Sequence, residues 1–519
     1  MLFRMLTKEG IVIIKTTNKP VKKLEMDFLI LYFTILHVFM SENTKQLKKR
    51  SVFSTLSLFF QSGYSAMLGL GANLVLTIVL SPKIFGIYIT VLSIIALLNY
   101  FSDIGLAASL VQKKEVTDED VATTFTVQQL MILSIITLGF FATNFIQNFY
   151  KLPQEGVYLY WALLVSFFLS SLKTIPSIFL ERKVQFQKIV FVGIVENTVF
   201  YISVIILGLL GFSLRSFTIA VVLRSIIGVI LIYSISFWRP QIGISIKNLK
   251  QLLSFGLPFQ ANSFLALFKD DLITLYLGKI LGFEALGYIG WAKKWAEAPI
   301  RIIMDNISRV LFPVLSRIQS DKEKVTRLIE KILHYQTLLL APIMIGMALT
   351  MNMFVTLIPK YGKWLPALPL FYLLGFAAFL SSYSTPFTNL FNALGKVKIS
   401  FYFMIFWTVA TWILTPILSK MFGYYGFPLV QFILSFAFIA VVAKAKQIMP
   451  FSFIKPIYQG IVSALIMGLV IFIIRSNVPI NIFSFISIIF AGELVYLASI
   501  RFIFKIDIIN ELKKLFIYE

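Results

Sequence analysis

The stretch Leu286–Arg309, LGYIGWAKKWAEAPIRIIMDNISR, places a charge at every fourth residue: Lys293, Glu297, Arg301, Asp305 and Arg309 alternate in sign, with Lys294 beside the first. Steps of four put these groups on one slowly winding stripe of a helix. The residues around the stripe are apolar enough to cross a bilayer. A charge at the bilayer centre costs about 2.5–3.5 kcal/mol on insertion scales, so such side chains face a bundle interior or a wet cavity rather than lipid. The pattern therefore predicts a helix inside a polytopic membrane protein that handles something polar.

The rest of the chain agrees. It is 58% hydrophobic and 14% charged, with 52 Phe, whereas soluble domains are nearer 45–50% apolar and about 25% charged. Apolar runs of about 20 residues recur, as membrane helices require, instead of the short alternating segments of a β-barrel. We expect an all-α protein with about fourteen spans, near 58–80, 84–110, 125–146, 158–180, 189–210, 214–236, 254–278, 286–308, 333–357, 365–388, 399–418, 424–443, 457–474 and 481–503. No Cys and two His exclude thiolate chemistry and argue against a metal site. No Walker motif is present, so ATP hydrolysis by this chain is not expected.

The net charge of +23 reads as topology rather than as affinity for nucleic acid. With loops assigned to alternating sides, one side holds only Lys83, Lys151, Arg215, Lys279, Lys360, Lys363, Lys420 and Arg475. The other holds roughly three times as many basic residues, which by the positive-inside rule puts both termini in the cytoplasm. The outside loops are short and poor in acids, unlike those expected of a membrane glycosyltransferase or polymerase. Residues 1–39 fit poorly, and Met40, followed by SENTKQLKKR, is the expected native start. The tail from Asp507 has helical apolar spacing suited to the membrane surface.

Two hairpins resemble each other: LSPKIFGIY (Leu80–Tyr88) and LGFEALGY (Leu281–Tyr288), with the same Leu-to-Gly spacing, six expected spans apart. A repeat of this kind predicts two six-helix lobes in the same orientation, with the substrate between them. The expected organisation is a leader over 1–50, one lobe over 51–250, a second over 251–450, and two extra helices plus a tail over 451–519.

Inside the spans, Lys293, Arg301, Arg224 and Lys269 are candidates to line a central cavity. Asp270, Asp271, Glu196, Glu297 and Asp305 are candidates for ion coupling or for structural pairing. Glu196 and Arg224 lie at comparable depth and either pair or leave Arg224 to the cavity; Lys173 is expected to snorkel. Cations in a low-dielectric cleft suit a lipid diphosphate, and Arg can engage two phosphate oxygens together. Tyr64, Asn73, Asn262, Tyr276, Trp291, Trp295 and Asn389 are candidate sugar contacts, and Pro258, Pro299, Pro342, Pro386 and Pro416 candidate kinks.

SDIGLAASLVQKKEVTDED (Ser102–Asp120) and the segment from Asp270 to Asp321 resemble the Wzx-like polysaccharide flippases. The second runs through an acidic residue, LG, LG-Y, A-K, Pro299 and Phe312-Pro313, then LS, Arg317 and Gln319. That family belongs to a superfamily shared with multidrug antiporters of the MATE type and peptidoglycan-precursor flippases. The resemblance implies a V-shaped bundle around a central cavity in the bacterial inner membrane. It implies no enzyme and no cofactor, and an undecaprenyl-pyrophosphate-linked oligosaccharide, such as an O-antigen repeat unit, as cargo, with a polysaccharide polymerase as a possible downstream partner. A basic cavity argues against the cationic cargo usual for a multidrug antiporter; a peptidoglycan-precursor flippase remains open.

Overall fold

The computed structural model describes residues 3–7, 10–14, 45–100, 105–113, 115–254 and 267–505. Met40, Asp103, Pro258, Asn262 and the tail from Asp507 lie outside them. The membrane bundle is all-helical as expected, and ahead of it Phe3–Thr7 (β1) and Gly10–Ile14 (β2) form a small antiparallel hairpin.

The long helices are α1 (Lys45–Val79), α2 (Pro82–Tyr100), α3 (Asp118–Phe141), α4 (Gln154–Leu172), α5 (Phe186–Leu209), α6 (Leu214–Ile235), α7 (Ile273–Ile318), α8 (Lys322–Leu357), α9 (Leu368–Ser382), α10 (Val397–Phe422), α11 (Ile454–Asn477) and α12 (Ile482–Ala498). Among the described residues, eleven helical segments are long and apolar enough to cross a membrane. The expected count of fourteen differs for a physical reason. The expected pair 254–278 and 286–308 meets in one helical segment, Phe268–Ile318, broken only at Gly282 (φ 80°, ψ 172°). That backbone lies in a region essentially reserved for glycine. The pair 399–418 and 424–443 likewise forms one segment, Val397–Ile448, turning at Gly423 (φ 58°). The part of α1 over Gly63–Val79 is apolar but short.

The proline expectations divide. Pro299 and Pro313 sit inside α7, Pro342 inside α8 and Pro416 inside α10, where each removes a backbone hydrogen bond. Pro386 instead starts the short helix Thr385–Ala393, where a missing N–H costs nothing.

The two repeat hairpins meet. α2 packs on α7, and each contributes a glycine to the contact. A Cβ on Gly86 would lie 1.7 Å from the Phe283 carbonyl oxygen, and one on Gly287 would lie 2.0 Å from the Pro82 carbonyl oxygen. No side chain fits at either point, because the obstacle is backbone. α11 approaches α8 closely at Gly460, where a Cβ would meet the Thr337 side chain at 3.1 Å and the Leu338 backbone nitrogen at 3.2 Å.

The acidic motif VTDED starts α3. Thr117 accepts from the Asp120 N–H at 3.2 Å while the Asp120 carboxylate accepts from the Thr117 N–H at 2.9 Å, a closed capping box. Asp120 is fully buried and also accepts Lys113 Nζ through both oxygens, at 2.7 and 2.8 Å. Arg182 reaches over the end of the preceding short helix and donates to the carbonyls of Leu110, Val111 and Lys113. The motif that carries part of the family resemblance thus builds a rigid corner. Thr117→Ala should cost about 1 kcal/mol, read as a lower unfolding midpoint of the purified protein with α3 fraying first in hydrogen exchange.

Candidate functional site

The charged stripe begins before α7. Phe268–Leu272, sequence FKDDL, is a single π-helical turn leading into it. Widened turns of this kind shift the phase of the side chains that follow. Lys269 Nζ stands 5.9 Å from the centre of the Trp407 ring on α10, and Trp412 Nε1 donates to the Phe268 carbonyl at 2.8 Å. Asp270 is exposed and Asp271 half-buried.

On α7, Glu297 is shared. Its Oε2 accepts Arg301 Nε at 3.2 Å and Nη2 at 2.8 Å, while its Oε1 is 4.0 Å from Lys293 Nζ. Arg301 is 68% exposed on its side chain and Lys293 31%. Asp305 and Arg309 are exposed further along the helix. Lys293 is therefore only loosely held, and Arg301 is paired without being enclosed. At the far end of α7, Asp321 caps α8: its carboxylate accepts the Lys324 N–H at 3.1 Å and faces Lys324 Nζ. Those contacts hold its carboxyl below the usual carboxylate range.

In the first half of the chain the expected Glu196–Arg224 pair does not form. Glu196, on α5, takes the ammonium of Lys173 instead. Lys173 sits at the end of α4 and turns inward rather than snorkelling, leaving 19% of its side chain exposed. The Glu196 carboxylate fills a slot on α6 made by a missing side chain: a Cβ on Gly228 would lie 1.5 Å from Glu196 Oε1. Arg224 is left half-buried, with its guanidinium 5.7 Å from the centre of the Phe200 ring. Among the described residues, Glu297 is the only carboxylate within 4.0 Å of any of Lys293, Arg301 and Arg224.

The candidate sugar contacts divide. Tyr64 bonds Thr198 at 2.7 Å, Tyr276 packs on Trp412, and Asn389 donates to the Thr385 carbonyl at 3.0 Å. Trp291 and Asn73 are fully buried, so in this conformation neither presents a face to a ligand. Trp291 is instead part of an aromatic plug. It stacks on Trp364 at 5.6 Å and donates through Nε1 to Tyr361 Oη at 2.9 Å. The loop residues Tyr361, Lys363 and Trp364 read in sequence only as part of a brief connection. Alternating aromatic and basic residues between two glycine- and proline-marked helix ends were the signal for them.

A sequence profile for polysaccharide biosynthesis proteins matches residues 75–369. The chain belongs to that family. It is 26% identical over 352 residues to the lipopolysaccharide biosynthesis protein WzxC of Escherichia coli (strain K12), covering 66% of this chain and 69% of the relative. It is 23% identical over 342 residues to the succinoglycan biosynthesis transport protein ExoT of Rhizobium meliloti (strain 1021), covering 65% and 68%. The fold matches that of the lipid II flippase MurJ, with a TM-score of 0.70 over 88% of this chain and 99% of that one, at 16% identity. The profile runs from α1 into α9, so it takes in both repeat hairpins, the Lys173–Glu196 pair, Arg224 and the whole charged stripe of α7.

Proposed function

We propose that this protein carries polyprenyl-pyrophosphate-linked oligosaccharide repeat units from the cytoplasmic to the outer leaflet of the bacterial inner membrane, for polysaccharide assembly, by alternating access. In this reading it is a transporter, not an enzyme. The lobes over 51–250 and 251–450 rock about a central space, residues 451–519 add two helices and a tail, and both termini face the cytoplasm. A polysaccharide polymerase on the far side consumes the cargo.

The observation that carries the reading is the surplus of cations within apolar spans. Among the described residues Lys293 and Arg301 share one close carboxylate, Glu297, and Arg224 has none within 4.0 Å. A diphosphate headgroup crossing hydrocarbon needs counter-charge at that depth, and three incompletely paired cations supply it. Lys269 extends the same set from the other side of the Gly282 break, and Asp271 and Glu297 tune how tightly the headgroup is held. The names of the relatives, a lipopolysaccharide biosynthesis protein and a succinoglycan transport protein, favour a polysaccharide repeat unit over a peptidoglycan precursor, although both carry the same handle.

Deletion of the gene in its host should trap the lipid-linked repeat unit in the inner leaflet and stop surface polysaccharide while leaving cell-wall synthesis intact. Rescue of a strain depleted of its peptidoglycan-precursor flippase, with no effect on surface polysaccharide, would reverse the assignment.

A further inference from the structure

The contact between the repeat hairpins is reciprocal. Counting from Leu80 and Leu281, the seventh residue of each hairpin, Gly86 or Gly287, presses on the carbonyl of the third residue of the other, Phe283 or Pro82. A surface that meets its own repeat in this way has the self-complementarity of a two-fold interface. The two halves of the molecule therefore touch backbone to backbone across their pseudo-symmetry axis.

Hydrogen bonds gather around that contact. Trp364 Nε1 donates to the Thr77 carbonyl at 2.7 Å and Lys363 Nζ to the Ile78 carbonyl at 2.7 Å. Both carbonyls belong to the last turn of α1, where no helical partner exists and a cation meets the negative end of the helix dipole. Tyr361 Oη bonds Thr77 Oγ1 at 2.9 Å. Lys279 repeats the device, donating to the Phe149 carbonyl at the end of the short helix Thr143–Tyr150. All four bonds join the first half of the chain to the second, and all four sit at the end that the charge count assigns to the outside. One turn deeper on α1, on the same face as Thr77, Asn73 is fully buried, and among the described residues neither end of its side-chain amide has a hydrogen-bond partner. An unsatisfied buried amide is costly, and that cost is relieved if the interface parts and water enters.

We propose that the two repeat hairpins form the outer seal of the transport path: Gly86 and Gly287 are its clasp, and Tyr361, Lys363 and Trp364 latch it through the C-terminal carbonyls of α1. Opening of this seal is the outward step. The inference rests on the transport reading above and adds the residues that gate it. Glycine is required at both clasp positions, because any Cβ would collide with backbone and force the two halves apart.

The chain contains no Cys, so a single introduced thiol reports without background. In the Asn73→Cys protein, labelling of intact cells by a membrane-impermeant maleimide should be slow. Adding Gly86→Ala or Gly287→Ala should raise the labelling rate about tenfold or more, and Lys363→Met or Trp364→Phe, each removing one latch bond, should raise it about fivefold. Unchanged labelling in glycine variants that reach the membrane in normal amount overturns the proposal. If those variants do not accumulate, the two latch variants decide on the same criterion. Labelling needs no cargo. Raised labelling in a protein whose deletion leaves surface polysaccharide intact refutes the transport reading and keeps the seal, and the opposite pair of results does the reverse.

Discussion

Lys173→Met should destabilise the protein by about 3–5 kcal/mol, the cost of leaving one partner of a buried ion pair uncompensated. Its partner Glu196 is 7% exposed, and its carboxylate lies against Gly228, in space that any side chain there would take. The variant should accumulate poorly, and what is purified should unfold at a clearly lower temperature in detergent. Glu196→Gln should be milder, since the amide keeps the shape of the carboxylate and leaves a lysine that can extend toward solvent. Changing both residues together should recover much of the loss, as replacement of a whole buried pair often does. The measurement also separates two roles for Glu196. A structural clamp predicts that stability falls in Lys173→Met. A proton or cation carrier predicts a stable Lys173→Met protein whose export loses its dependence on the ion gradient. The geometry, with Lys173 already seated on the carboxylate, favours the clamp.

This pair shows where the sequence stops being informative. Depth in the membrane is read from position along a span, and that alone suggested Glu196 and Arg224 as neighbours at comparable depth; the contacts instead set Glu196 against Gly228 and Arg224 against Phe200. Which neighbour a side chain meets depends on helix phase and on which helices are adjacent, and neither is set by hydropathy. Lys173 looked like a residue at a helix end free to reach water, yet it has helical dihedral angles at the junction of α4 and the helix Thr174–Arg182, so the chain runs on past it, and its ammonium meets Glu196. The missing Cβ at Gly228 was visible only as one more glycine in a membrane helix. The repeat hairpins, by contrast, were legible, because a conserved spacing within one chain is a pattern of residues and not of phase. Their meeting point was not, since sequence similarity between halves gives the symmetry but not the distance of each element from its axis. Trp291 and Asn73 failed as exposed sugar contacts for a related reason: aromatic and amide groups at helical spacing look the same in a wet cavity and in a closed interface.

Lys293→Ala and Arg301→Ala together should abolish export of the lipid-linked glycan while the amount of folded protein stays within normal variation. The separation is possible because neither side chain holds the fold together. Lys293 is 4.0 Å from Glu297 and Arg301 is mostly exposed, and exposed pairs contribute about 0–1 kcal/mol. A charge-assisted hydrogen bond to a phosphate is worth about 1.5–3 kcal/mol, so each single alanine should slow export about tenfold to a hundredfold. Arg301→Lys should retain only part of the activity, since an ammonium cannot present the paired N–H groups that match two phosphate oxygens. Glu297→Gln should act in the opposite sense on binding, by releasing both cations from their shared carboxylate, and should tighten retention of the headgroup; export falls if release then limits the cycle. The readout is surface polysaccharide per unit of membrane protein, measured beside the pool of lipid-linked repeat units in the inner leaflet. Normal export in the double alanine variant would remove the stripe of α7 from the transport path and leave it a solvated face. Loss of the protein itself would make it a structural ladder. Loss of export at unchanged protein level, with the lipid-linked pool rising, is the result predicted by a stripe on which Lys293 and Arg301 have only Glu297 between them as a close carboxylate.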